Sequence, residues 1–166
     1  MATVTLGGTA FAISGDVPKA GDTAPDFTLT GGDLGDVSLR DYAGQRLILN
    51  IFPSVDTPVC ANSVRRFNAE AAALEGVSVL CVSRDLPFAH GRFCAAEDIE
   101  AVRCVSEMRD SSFGKAYGLT IAEGPLAGLL ARAIVVVGPD GKVGYSQLVP
   151  EIKEEPDYDA ALAACG

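Results

Sequence analysis

The sequence has no tryptophan, two methionines and a single histidine, His90, and none of its five cysteines stands in a C-x-x-C pair. A zinc site needs several closely spaced Cys or His ligands, so no metal and no cofactor are expected. A Ser-His-Asp hydrolase would have to use His90 as its base, and that class is set aside. No apolar run approaches the roughly 20 residues that cross a bilayer. The start, Met1-Ala2-Thr3-Val4-Thr5-Leu6, has neither a basic opening nor a long apolar core; no secretory signal is expected, and a cytoplasmic location is the default. Basic residues are also scarce: 13 Lys and Arg stand against 22 Asp and Glu, for a net charge of −9. Clustered cations bind phosphate backbones and anionic lipid, so neither nucleic acid nor membrane is an expected partner. With an odd number of cysteines and no signal, a disulfide framework is not expected either.

What is present is an ordinary globular composition, 48% hydrophobic and 21% charged. The length suits one domain, here residues 1–166, without repeat, low-complexity tract or linker. Val4 to Ser14 alternates around Gly7-Gly8 and predicts a β-hairpin, an N-terminal extension over residues 1–15. Short strands follow at 27–30 and 37–39. Arg46 to Phe52 is a nearly continuous apolar run, the pattern of a strand buried on both faces. Ala61 to Leu74 carries Val64, Phe67, Ala71 and Leu74 on one helical face, with Gly76 as its stop. Val77 to Val82 is a second buried strand, so strand, helix and strand form a right-handed parallel unit. A helix over 86–99, a strand over 102–105, a helix over 112–117, strands at 133–137 and 143–147 around Pro139-Asp140-Gly141, and a helix over 156–164 complete the reading. The class is α/β: a central mixed sheet flanked by helices, with two central parallel strands and a C-terminal hairpin. That is the thioredoxin type of sandwich.

Chemistry is sought among the thiols. Cys60 falls in the first turn of the first helix, where unpaired N–H groups and the helix dipole favour an anion. A free thiol, with a pKa of about 8.5, is mostly protonated at neutral pH, so such a position matters. Thr57 lies three residues earlier, close enough for its hydroxyl to reach the sulfur or an atom bound beside it. Pro53 supplies a rigid apolar wall. Arg65 and Arg66 follow closely, and their direction around the helix decides whether either helps. Spacing alone leaves two readings of Cys60 open, a nucleophile and a small buried hydrophobe.

The run Asn50-Ile51-Phe52-Pro53-Ser54-Val55-Asp56-Thr57-Pro58-Val59-Cys60, continuing through Ser63 to Asn68, resembles the active-site segment of the peroxiredoxins, and more narrowly of the bacterial thiol peroxidases, an atypical two-cysteine branch. The likeness extends to Gly21–Phe27, Ser83–Ala89, Arg92-Phe93-Cys94, Ser112–Lys115, Gly124–Leu126 and Glu155–Tyr158. It implies that Cys60 is the peroxidatic cysteine, oxidised to a sulfenic acid in a pocket shaped by Thr57 and Pro53. It implies that Arg132 stabilises the thiolate and polarises the peroxide; without the family, Arg132 reads as a solvated strand-edge charge. Cys94 matches the resolving position, although Phe93, Cys94 and Ala95 also read as residues that simply pack their helix.

A sulfenic acid must be captured by a thiol before further oxidation, and the resulting disulfide opened by exchange. The resemblance implies an intramolecular Cys60–Cys94 disulfide, reduction by thioredoxin, hydrogen peroxide and organic or lipid hydroperoxides as substrates, and a homodimer. Cys81 and Cys104 read as inert strand residues, and Cys165 as a terminal thiol open to adventitious reaction. Bridging two helix-borne thiols requires local unwinding, because the Cα atoms must come within about 7 Å. A redox-sensing protein, in which Cys60 oxidation switches a partner surface, shares the same first step and stays open at this point.

Overall fold

The structure, a computed structural model, describes residues 2–165. Strands β1 (Thr3–Leu6) and β2 (Thr9–Ala12) form the expected hairpin, Leu6 opposite Thr9. Gly7 and Gly8 have φ of 59° and 89°, the positive-φ pair that lets a two-residue turn match strand twist.

The remaining elements are β3 (Thr28–Thr30), β4 (Asp36–Ser38), β5 (Arg46–Ile51), α1 (Pro58–Ala71), β6 (Val77–Ser83), α2 (Pro87–Ala96), β7 (Arg103–Ser106), α3 (Ser112–Ala116), β8 (Ala133–Val137), β9 (Val143–Leu148) and α4 (Tyr158–Ala163). Seven strands make one mixed sheet in the order β4-β3-β7-β6-β5-β8-β9. Two parallel strands were expected at its centre; β7 adds a third beside β6, with Cys81 opposite Cys104. In β5, Leu47, Leu49 and Ile51 enter one core with Phe113 and Tyr117, while Ile48 enters the other with Val64 and Phe67 of α1. Both faces of β5 are therefore dry, as its nearly continuous apolar run predicts. Each Leu, Ile or Phe so buried contributes about 1.5–3 kcal/mol.

Element ends differ from expectation in instructive places. Helix α1 begins at Pro58 rather than Ala61, because proline fits the first helical position, where no N–H is needed. It stops at Ala71, before Leu74, and Gly76 at φ 70° serves the turn into β6 instead of capping the helix. The α2 helix likewise ends at Ala96, short of Ile99. Among the described residues, no helix is long and apolar enough to cross a membrane.

Candidate active site

The site lies where β5 runs into α1. Pro53 is buried in the loop beyond the strand, and Thr57 is extended at φ −109° and ψ 148°, as a residue before proline prefers. Pro58 then starts α1, so Cys60 is its third residue, within the turn whose N–H groups lack helical partners. The Cys60 side chain is fully buried.

Arg132, leading into β8, is not a solvated charge: it is 2% exposed. Its Nη2 lies 3.3 Å from Cys60 Sγ. The guanidinium is fixed by the Ile152 carbonyl, which accepts from Nε at 3.0 Å and from Nη2 at 2.8 Å. Among the described residues, Nη1 has no hydrogen-bond partner and no carboxylate pairs with this cation. A buried cation without a carboxylate calls for electron-rich neighbours, and besides the Ile152 carbonyl this one faces the Cys60 sulfur, with Nη1 left as a spare donor. The Ile152 carbonyl is itself held through the N-terminal hairpin, because the Ile152 amide donates to the Thr5 carbonyl at 2.8 Å and the Thr5 amide to that of Pro150 at 2.7 Å.

Thr57 does not donate to the sulfur. Its hydroxyl donates to the Ser54 carbonyl at 2.9 Å, which spends its single proton and leaves lone pairs as acceptors. Arg65 and Arg66 are engaged elsewhere: Arg65 pairs with Glu97 at 2.6 Å, and Arg66 with Glu70 at 3.2 Å and Asp159 at 3.1 Å.

Asp85, which the sequence reading gave no role, organises the loop. Ser54 Oγ donates to it at 2.6 Å, the Val55 amide at 2.9 Å and Ser83 Oγ at 2.6 Å. Burial opposes its charge, but the nearby His90 ring, with hydrogen bonds from Ser54, Ser83 and the Val55 amide, outweighs burial and holds the carboxyl down at about 2. Because Ser83 spends its proton on Asp85, His90 Nε2–H donates to Ser83 Oγ at 2.8 Å. His90 lies on α2, so the cluster joins the Cys60 loop to the helix bearing Cys94. Two signals in the chain point to Asp85: its place just beyond a buried strand's carboxyl end, where loops build sites, and its place within the family-like segment Ser83–Ala89.

All five cysteines are free thiols. Cys94 is partly buried, and its sulfur contacts Cys104 at 3.7 Å. Cys81 and Cys104 are buried at 0% and 7% exposure. Cys165 is buried as well, its thiol toward the Ala161 carbonyl at 3.6 Å, so the terminal thiol is less open than its place in the chain implied. A shallow groove of about 390 Å³, lined by Val55, Thr57, Pro58, Ala61 and Phe93, lies beside the first turn of α1; neither Cys60 nor Arg132 lines it. A larger cavity of about 510 Å³ between β3, β4 and β7 contains no thiol. Among the described residues, no group of three or more His, Cys, Asp or Glu could hold a metal ion.

The Redoxin family model matches residues 19–162. A thiol peroxidase of Mycobacterium tuberculosis is 61% identical over 166 residues, covering 100% of this chain and 99% of that protein. One from Corynebacterium glutamicum is 56% identical over 164 residues, 99% of each. Among solved structures, a peroxiredoxin-like protein from Aquifex aeolicus superposes with a TM-score of 0.93 at 41% identity, covering 98% of this chain and 95% of that one. A thiol peroxidase from Chromobacterium violaceum shares the fold, with a TM-score of 0.86 at 24% identity over 97% and 94% of the two chains.

Proposed function

The chain belongs to the redoxin family, among the thiol peroxidases of the peroxiredoxin type, and from that premise we propose that Cys60 is the peroxidatic thiol and Cys94 the resolving one. The carrying observation is the buried Arg132, with Nη2 at 3.3 Å from Cys60 Sγ and Nη1 unpartnered. The Cys60 thiolate attacks the nearer oxygen of a hydroperoxide, the O–O bond breaks, and the leaving oxygen departs as alcohol or water. Nη1 donates to the oxygen on which charge develops, in a pocket where such a donor is worth most. Thr57 accepts from the peroxide O–H, and Pro53 walls the pocket.

Cys94 then displaces hydroxide from the Cys60 sulfenic acid, which leaves as water, to form the intramolecular disulfide. Thioredoxin opens that disulfide by exchange. The substrates are hydrogen peroxide and organic or lipid hydroperoxides, for which the open groove beside the first turn of α1 leaves room. The cellular role is antioxidant defence and redox homeostasis in the cytoplasm. Residues 1–166 act as one domain with its hairpin extension. Leu86 and Phe88, exposed at 53% and 69% around the start of α2, offer apolar surface for a homodimer contact.

The test is a coupled assay with thioredoxin, thioredoxin reductase and NADPH. Steady hydroperoxide-dependent NADPH oxidation, lost in Cys60→Ser and Cys94→Ser, is the expected result. A single stoichiometric burst would favour a redox sensor over an enzyme.

A further inference from the structure

Three thiols outside the peroxidatic site lie together on the face of the sheet that α1 and α2 cover. Asn50 of β5, Cys81 of β6 and Cys104 of β7 occupy one row, since Asn50 is paired with Cys81 and Cys81 with Cys104. Helix α2 sets Cys94 over the end of that row, its sulfur 3.7 Å from that of Cys104. At the other end, Asn50 Nδ2 approaches Cys81 Sγ at 3.7 Å. The sulfur that Cys94 meets in the folded chain is therefore Cys104's.

We infer that Cys104 is a third redox-active thiol, which takes Cys94 over from the Cys60–Cys94 disulfide and so returns Cys60 to its thiolate. The inference rests on the assignment of Cys60 and Cys94 proposed above. In the exchange, Cys104 loses its proton to water and its sulfur attacks Cys94 Sγ. The Cys60–Cys94 bond breaks, and Cys60 leaves with the bonding electron pair as a thiolate opposite Arg132. One disulfide replaces another, with no additional oxidant or reductant.

Packing supplies the direction. Cys94 is held over β7, whereas Cys60 touches the residue leading into β8, and β6 and β5 run between those strands. A Cys60–Cys94 bridge needs Cα atoms within about 7 Å, and because each sulfur is turned to its own partner, Cys60 to Arg132 and Cys94 to Cys104, it draws two helix-borne segments from their packed places. A Cys94–Cys104 bridge asks only that two touching sulfurs close on each other, with α2 seated on the sheet. Return of α2 to its packed position therefore favours the exchange. In the resting fold the pair is quiet: hydrogen bonding to Cys104 and then burial push the Cys94 thiol up, while for Cys104 hydrogen bonding to Cys81, with burial, outweighs the opposing contact with Cys94.

Tryptic mapping decides the matter, because cleavage after Arg65, Arg92 and Arg103 leaves Cys60, Cys94 and Cys104 on separate peptides. The reduced full chain receives one equivalent of hydrogen peroxide without reductant, and samples are alkylated over time and digested unreduced. The expected result is a Cys60–Cys94 peptide pair that decays into a Cys94–Cys104 pair while Cys60 becomes alkylatable, with no Cys94–Cys104 pair in Cys60→Ser. Given a second equivalent, the wild type should consume twice the hydroperoxide per chain that Cys104→Ala consumes. A Cys60–Cys94 pair that persists without its successor would overturn the inference and leave the proposed function standing. So would a Cys94–Cys104 pair forming equally fast in Cys60→Ser, since its route would bypass Cys60. Oxidised Cys60 beside an unmodified Cys94 thiol would remove the resolving assignment and the relay with it.

Discussion

Arg132 Nη2 stands 3.3 Å from Cys60 Sγ while donating to the Ile152 carbonyl at 2.8 Å. One nitrogen thus ties the sulfur proposed to react to a backbone segment that the N-terminal hairpin braces. The guanidinium cannot swing away without abandoning a buried carbonyl, which costs about 1–3 kcal/mol. Its charge is consequently in place before any peroxide arrives, and no reorganisation is needed during the reaction.

Replacing this arginine separates charge from bulk. Arg132→Met retains much of the volume but removes the donors, and loss of one such donor typically costs about 10²–10³ in rate. The second-order rate constant of Cys60 oxidation, followed by stopped flow, should fall by that much. Arg132→Lys should recover only part of the loss, because an ammonium cannot hold Ile152 and face the sulfur with the same planar fork. Equal rates in Arg132→Met and wild type would contradict the assigned role.

Asp85 invites a different substitution. Its two oxygens accept from Ser54, Val55 and Ser83, and Asp85→Asn would turn an NH₂ group toward one of those donors. The mismatch should destabilise the fold by about 1–3 kcal/mol. Because Ser54 and Val55 belong to the Cys60 loop, hydroperoxide reactivity should drop about tenfold as well. Urea unfolding and stopped-flow oxidation report the two effects independently, and a variant that lost stability alone would show Asp85 to be merely structural.

Much of this architecture is legible in the chain itself. The nearly continuous apolar run of β5 and the apolar face Val64–Phe67 announce a buried strand and the helix over it, although that face alone puts the helix start at Ala61 and not at Pro58. The buried partners are not legible. Arg132 is a charged residue at a strand edge until Ile152, 20 residues later, supplies its carbonyl. The Asp85 cluster joins Ser54 to a residue 31 positions away, and the Cys94–Cys104 contact requires knowing that α2 lies over β7. Local periodicity predicts elements, whereas these contacts arise only when elements pack.

Acid should weaken the fold through two carboxyls. Asp85 is held at about 2 rather than 3.8. Glu151 is held at about 2 rather than 4.5, chiefly by the Lys153 and Gly8 amides. Both are depressed in the folded state, so the unfolded chain takes up protons first as pH falls. Their contribution is complete above about pH 5 and is lost on the way down to about pH 2. Tm should therefore be level near neutrality and decline below pH 5, with a shallower decline in Asp85→Asn. A Tm that stayed constant down to pH 2 would be incompatible with these bonds.

Ser63 links the helix to the sulfur row. It accepts from Asn50 Nδ2 at 3.1 Å and donates to the Cys60 carbonyl at 2.7 Å, both groups being buried. Ser63→Ala removes little volume but leaves the Asn50 amide with only the weak sulfur acceptor of Cys81. Stability should fall by about 1–3 kcal/mol, visible as a lower urea midpoint at unchanged slope. An unchanged midpoint would mean that the amide is satisfied in another way.

Thr57 offers the cleanest division between fold and chemistry. It is the residue before α1, yet its side chain makes no capping bond to the helix, so losing the hydroxyl should leave Tm nearly unchanged. That hydroxyl donates to Ser54, and with its only proton committed it can meet a peroxide solely as an acceptor. Arg132 can act solely as a donor. On the proposed mechanism the two groups address opposite ends of the O–O bond, one taking the hydrogen of the attacked oxygen and the other stabilising the oxygen that leaves. Thr57→Val should lower kcat/KM by about tenfold or more, the equivalent of about 1.4 kcal/mol for one lost hydrogen bond to a polarised group. Thr57→Ser should retain most of the activity, since it keeps the oxygen and its proton. If the serine variant were as slow as the valine variant, the methyl group rather than the hydroxyl would be what the pocket needs.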